Sequence, residues 1–176
     1  MNKCSKCGGD QYLQPCEKCG AQIRPKVGLG VIIVKDGKVL VGRRLGSHGE
    51  GLIAFPGGHL EWFEEYADCA EREVLEETGM KVRFRPLDPL QPEAFTTNNL
   101  MVEDHKHYIT IFVVADWVEG EAKNVLPNKC EGWQWVSYQD LLKLVPPEAF
   151  CNPQHPQNHW IPTAHIAHWK DVIRLY

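Results

Sequence analysis

"GGHLEWFEEYADCAEREVLEETGM", Gly57 to Met80, is the stretch from which the rest of the chain can be read. From Glu64 onward it carries Glu64, Glu65, Asp68, Glu71, Glu73, Glu76 and Glu77. The pattern predicts a helix from Tyr66 to Thr78, with Gly79 as its stop signal. Ala67, Ala70 and Val74 recur at helical spacing and form a small inward face. Glu73, Glu76 and Glu77 are three and four residues apart, so they project from one face, expected to lie largely opposite those alanines. Like charges one turn apart repel. An ordinary solvated face is one reading of them. The other is a cage for a hard divalent cation, because Mg²⁺ takes oxygen ligands and keeps waters and phosphate oxygens in its shell.

Upstream, apolar runs over 27–34 and 38–44 flank Lys35-Asp36-Gly37-Lys38. Asp-Gly between such runs predicts a β-hairpin. "SHGEGL" reads as a Gly-rich loop and "IAF" as a short strand ending at Pro56-Gly57-Gly58. Downstream, "KVRFRPL", "HYITIFVVADWV" and "GWQWVSY" read as strands. "SYQDLLKLV" reads as a helix capped by Ser137 and stopped by Pro146-Pro147. A loop, "CNPQHPQNHWIP", precedes a last amphipathic helix, "TAHIAHWKDVIRLY". The mixture predicts an α/β (α+β) sandwich.

The 176 residues are 43% hydrophobic, enough for one full domain with short additions. A net charge of -4 without a basic stripe argues against nucleic-acid binding. No apolar run approaches the length that spans a bilayer. "MNKCSKCGGD" lacks the apolar core of a secretory signal, so a cytoplasmic protein with reduced thiols is expected.

Four of the seven cysteines cluster in two copies of one pattern, "CSKCG" and "CEKCG". Cys4, Cys7, Cys16 and Cys19 can supply four thiolates to one tetrahedral zinc. Gly8 and Gly20 permit the tight turns around the sulfurs. A redox dithiol or free thiols are the alternatives. So small a unit has almost no core, and metal would drive its folding. In the tail Cys151, His155 and His159 are four apart, but Pro153 and Pro156 break any helix, and a second zinc site is not expected there. His105 and His107 read as strand-end residues, His165 and His168 as an exposed helix face. The expected units are a zinc-ribbon-like segment over 1–24, a main domain over 25–148 and an extension over 149–176.

Gly58, Glu64 and the run Arg72-Glu73-Val74-Leu75-Glu76-Glu77-Thr78-Gly79-Met80 stand at the spacing of a complete Nudix box. Over about residues 25–144 the chain resembles the Nudix hydrolases. The resemblance implies an α/β/α sandwich around a mixed sheet and cleavage of a nucleoside diphosphate linked to another moiety. It implies Mg²⁺ or Mn²⁺ on Glu73, Glu76 and Glu77, with the Gly57 carbonyl as an extra ligand. Glu73 and Glu76 both remain candidates for the base. Glu131 is either a further metal carboxylate or an ordinary loop acid. By the same analogy Glu64 and Arg72 form a structural salt bridge behind Gly58. Phe63 stands where many relatives have Gly, which implies altered loop packing.

"NVLPNKCEGWQWVSYQDL" is similar to a subgroup of small nucleoside triphosphate pyrophosphatases, which includes the human thiopurine-nucleotide hydrolase and its plant relatives. That implies release of monophosphate and pyrophosphate from (d)NTPs, oxidised or modified purines included. Arg44, and less so Arg43, would face the triphosphate, since a guanidinium fork suits phosphate oxygens. His59 is a phosphate donor or a plain loop histidine. Leu52, Phe55 and Trp133 would form an apolar slot for the base, though each also suits the core. Bacterial NADH pyrophosphatases likewise pair a four-cysteine zinc site with a Nudix box, so an NADH or ADP-ribose pyrophosphatase is the alternative. Their "SQPWPFPxS" signature is absent here. A non-catalytic regulatory module is the third reading, and the intact box carboxylates weigh against it. The expected partner is a nucleotide; a homodimer is left open.

Overall fold

The computed structural model describes residues 2–3, 10–11, 24–46, 50–86, 95–101 and 106–144. Strands β1 (Asn2–Lys3) and β2 (Asp10–Gln11) pair antiparallel, with Asn2 opposite Gln11. Cys4, Cys7, Cys16 and Cys19 lie outside the described residues, as do Cys151 and the expected C-terminal helix.

The main sheet begins with β3 (Lys26–Lys35) and β4 (Lys38–Arg44). Asp36 and Gly37 join them with φ of 49° and 69°. Those positive values are what a two-residue type I′ hairpin demands, and Asp-Gly supplies them. Next come β5 (Ile53–Ala54), β6 (Gly57–His59), helix α1 (Tyr66–Thr78) and β7 (Lys81–Phe84). The chain continues through β8 (Phe95–Met101), β9 (Lys106–Glu119), β10 (Cys130–Ser137) and α2 (Tyr138–Leu144). The sheet runs β10-β4-β3-β9-β7, with β5 on β4, β6 on β3 and β8 on β9. Strands β3 and β9 are parallel from Lys26 opposite Tyr108 to Val34 opposite Asp116, while the other pairs are antiparallel. The sheet is therefore mixed.

Its two faces follow from strand alternation. Leu29, Val31 and Ile33 face α1 and bury Cys69, Ala70 and Val74. Ile32 and Val34 face the other way, in a cluster with Phe55, Phe112 and Leu141 of α2. Helices thus cover both faces, and the expected α/β/α sandwich is the observed one. Helix α1 ends where expected: Gly79 is left-handed at φ 71°, and its N–H donates to the Leu75 carbonyl at 2.9 Å. Ser137 accepts from the Asp140 N–H at 3.2 Å, capping α2.

The expected opposition of the carboxylate and alanine faces is corrected. At about 100° per residue, Glu77 falls only about 20° from Ala70. Cys69, Ala70, Val74 and Thr78 are the buried residues of α1, so Glu73 and Glu77 border the core stripe instead of opposing it.

Candidate active site

The glycines of β3, β4 and β6 make room for a cleft of about 230 Å³. Gly28 and Gly30 of β3 stand beside Thr110 and Phe112 of β9, and Gly42 of β4 stands beside Trp133. A Cβ on Gly42 would meet the Cys130 Sγ at 2.5 Å and the Trp133 ring at 2.8 Å. Seven of the expected site residues line this cleft: Arg44, Phe55, Gly57, Gly58, His59, Glu77 and Trp133. Leu52, Glu73, Glu76 and Glu131 are not in its lining. Leu52 instead holds the strand end, its carbonyl accepting from the Arg44 N–H at 2.9 Å. Phe55 is buried at the cleft floor and meets Phe112 edge-on, with ring centres 6.3 Å apart.

Glu77 reaches inward from α1 and accepts the Gly57 N–H at 3.1 Å. The Gly57 N–H thus faces the carboxylate. Burial pushes the Glu77 carboxyl up to about 7, and the Glu73 charge adds to the rise, while the Gly57 N–H, Lys129 and Arg44 oppose it. Trp133 Nε1 donates to the Glu77 carbonyl at 3.3 Å and ties β10 to α1. Burial lowers the Arg44 guanidinium, with the Glu77 charge opposing. Burial and then the Lys26 charge lower His59, whose Nε2 lies 3.4 Å from the Tyr108 hydroxyl.

Arg72 organises the other two box carboxylates. Its Nε and Nη2 grip Glu64 at 2.7 and 2.9 Å, a bidentate pair. Its Nη1 donates to Glu73 at 2.8 Å and stands 3.7 Å from Glu76. Nη2 also donates to the His59 carbonyl at 3.1 Å, which fastens the loop to the helix. Glu64 additionally accepts the Glu61 N–H at 2.9 Å. Among the described residues no three His, Cys, Asp or Glu side chains stand together as a metal cluster. Like charges one turn apart repel, and here they separate onto different partners, Arg72 for two and Gly57 for the third. Glu131 pairs with Arg43 at 3.6 Å, both side chains half-exposed, so neither joins that group.

Phe63 explains its own oddity. Its φ is 61°, the left-handed region where Gly is strain-free. The ring is 93% exposed and rests edge-on against Trp62, with centres 5.1 Å apart.

Tyr108, Thr110, Phe112 and Lys129 also line the cleft and were not expected there. The first three alternate along one strand, a period-2 signal that becomes legible once one knows which face of β9 is open. Lys129 directly precedes Cys130-Glu131 and acts electrostatically on both Glu77 and His59.

The Arg72 guanidinium holds Glu64 down to about 2, below its ordinary 4.5. A depressed carboxyl contributes stability that is present above 4.5 and lost as pH falls through about 2. Arg72→Ala is expected to cost about 2 kcal/mol at pH 7, a fall in Tm of about 4–8 °C. Melting curves down the pH scale should show the gap to wild type closing toward pH 2. A gap independent of pH would assign the loss to packing alone.

The NUDIX domain family model matches residues 24–159. The chain belongs to the NUDIX family. Among similar curated proteins, this NUDIX chain is 32% identical over 151 residues to the NAD-capped RNA hydrolase NudC of Photobacterium profundum, covering 81% of the chain and 52% of that protein. It is 30% identical over 101 residues to the ADP-ribose pyrophosphatase of Methanocaldococcus jannaschii, covering 57% of the chain and 56% of that protein. The chain spans about half the length of the curated relatives it matches. Among solved structures, the MutT NUDIX hydrolase from Burkholderia pseudomallei superposes with a TM-score of 0.58 at 26% identity, over 66% of this chain and 86% of that one. The expected closeness to the thiopurine-nucleotide hydrolase subgroup is not shown by these relatives. No helix among the described residues is long and apolar enough to cross a membrane.

Proposed function

We propose that this chain is a Mg²⁺-dependent hydrolase of nucleoside triphosphates that releases a nucleoside monophosphate and pyrophosphate. One observation carries the proposal: a single cleft joins the half-buried Glu77 carboxyl to Arg44, Lys129 and an aromatic wall of Phe112 and Trp133. Arg44 and Lys129 would hold phosphate oxygens, and His59 would donate to one from the loop. Trp133 and Phe112 would flank the base. A volume of about 230 Å³ suits one base, being below the ~300–1,000 Å³ of drug-sized sites.

Glu73, Glu76 and Glu77 fit a hard divalent cation, since all their donors are carboxylate oxygens. A second feature supports the fit. The Glu73 carboxylate lies in the space a Cβ on Gly58 would fill, 2.2 Å from it, so the glycine admits the carboxylate toward the cleft. When bound, the cation would neutralise phosphate charge and acidify an attacking water. Glu73 and Glu76 are the candidates to take that water's proton, and Arg72 keeps both within reach of one guanidinium.

A second reading, cleavage of NADH or ADP-ribose, is favoured by the names of the relatives at 32% and 30% identity. Net charge -4 weighs against an RNA chain as the substrate. The test is a panel of NTPs, dNTPs, modified purine triphosphates, NADH and ADP-ribose at saturating Mg²⁺, read by product identity. Triphosphates are expected to be turned over with kcat/KM at least about tenfold above the dinucleotides, yielding pyrophosphate. The reverse ranking would establish the second reading.

Residues 1–24 are proposed as a separate zinc unit on Cys4, Cys7, Cys16 and Cys19, preceding a catalytic unit over 25–148. The antiparallel pairing of β1 with β2 around the first Cys-x-x-Cys supports it. Metal analysis of freshly purified protein should find one zinc per chain; finding none would refute the assignment.

A further inference from the structure

Tyr108, Thr110 and Phe112 alternate along β9 and line the cleft. On the β3 side Gly28 is the ladder partner of Thr110, so no side chain screens the threonine there. On the β8 side Thr97 is its direct partner, and Asn99 sits diagonally within reach. Asn99 is only 2% exposed, a rare burial for an amide, and its Nδ2 donates to the Thr110 Oγ1 at 3.1 Å. A hydroxyl has one hydrogen and two acceptor sites. With an acceptor site taken by Asn99, the Thr110 hydrogen is left to point elsewhere. Thr97 adds a second hydroxyl, buried and without a hydrogen-bond partner among the described residues. Buried polar groups are nearly always satisfied; Thr97 does not itself line the cleft, whereas Thr110 does.

We infer that Thr110 is a specificity-determining residue, whose O–H, set by Asn99, donates to a ring nitrogen or carbonyl of the nucleotide base. The inference rests on the nucleotide reading of the cleft. Position along β9 favours the base over the phosphates. Tyr108 meets His59 at the charged end, Phe112 meets Phe55 at the apolar end, and Thr110 lies between them. Asn99 does not line the cleft, so it is a positioning residue acting through Thr110.

Equilibrium binding of AMP, GMP, CMP, UMP, their 2′-deoxy forms and deaza-purine monophosphates to the full chain tests this without requiring turnover. Thr110→Val keeps the β-branched shape and removes the hydroxyl. It is expected to weaken the best-bound base about tenfold and to leave unchanged the deaza counterpart that lacks the matching acceptor. Thr110→Ser should keep the wild-type ranking. Asn99→Leu should flatten the ranking while melting curves report the fold. An equal loss for all bases, or a loss that follows the 2′-hydroxyl, would overturn the inference and leave the nucleotide reading standing. Binding of none of these monophosphates by the wild type would remove both.

Discussion

Glu77→Gln is expected to lower kcat/KM for the preferred nucleotide by about 10²–10³-fold at saturating Mg²⁺. Gln keeps the shape and can still accept the Gly57 N–H, so only charge and metal affinity are lost. The same substitution is expected to stabilise the metal-free protein at high pH. The folded-state carboxyl sits near 7, above its ordinary 4.5. A raised carboxyl carries no penalty below 4.5, where folded and unfolded chains are both neutral there. The penalty grows as pH rises and is complete above about 7. Removing it is worth on the order of 2 kcal/mol, a rise in Tm of about 4–8 °C at pH 8 in EDTA. At pH 4 the two proteins should melt together. Turnover retained at wild-type rate would take Glu77 out of the metal set. Equal melting at pH 8 would mean that its carboxyl carries no burial cost.

The opposite signs in that pair of readouts show why α1 resisted a full reading from sequence. Periodicity located its ends at Tyr66, Thr78 and Gly79, because small residues and a left-handed stop are local signals. Burial of Glu77 is not local: it depends on β6 presenting the Gly57 N–H across 20 residues of chain. The separation of Glu73 and Glu76 from Glu77 likewise depends on where one guanidinium, Arg72, can reach.

The strands divide the same way. The Asp36-Gly37 hairpin and the β-branched run of β9 carry their own signal. "FTTNNLM" of β8 does not, since its asparagines are poor strand formers and it is a strand through pairing with β9. Missing β8 meant missing Asn99, and with it the orientation of Thr110. Gly57 to His59 reads as loop for a similar reason, being held as a strand by its pairing with β3.

That short strand sets the second large effect, a contrast between adjacent glycines. Gly57 has φ 153°, and a Cβ there would stand 2.1 Å from the Leu29 carbonyl oxygen and 3.1 Å from the Gly30 Cα. Both obstacles are backbone of β3, paired with Gly57 and Gly58 in the ladder, and neither can swing aside. Gly57→Ala must therefore part β6 from β3 and withdraw the N–H from Glu77. Overpacking and left-handed strain together make a loss of about 3–4 kcal/mol, a fall in Tm of about 6–16 °C, and activity goes with the fold. At Gly58 the obstacle is the Glu73 carboxylate, the far end of a flexible side chain. It can rotate away, so Gly58→Ala should cost only about 1 kcal/mol. The displaced carboxylate would leave Arg72 and the cleft edge, and kcat should fall about 10²-fold with melting nearly unchanged. Paired melting and single-turnover measurements on the two variants separate the outcomes. If Gly58→Ala melts like wild type and also turns over like it, Glu73 does not work from the position it holds against Gly58.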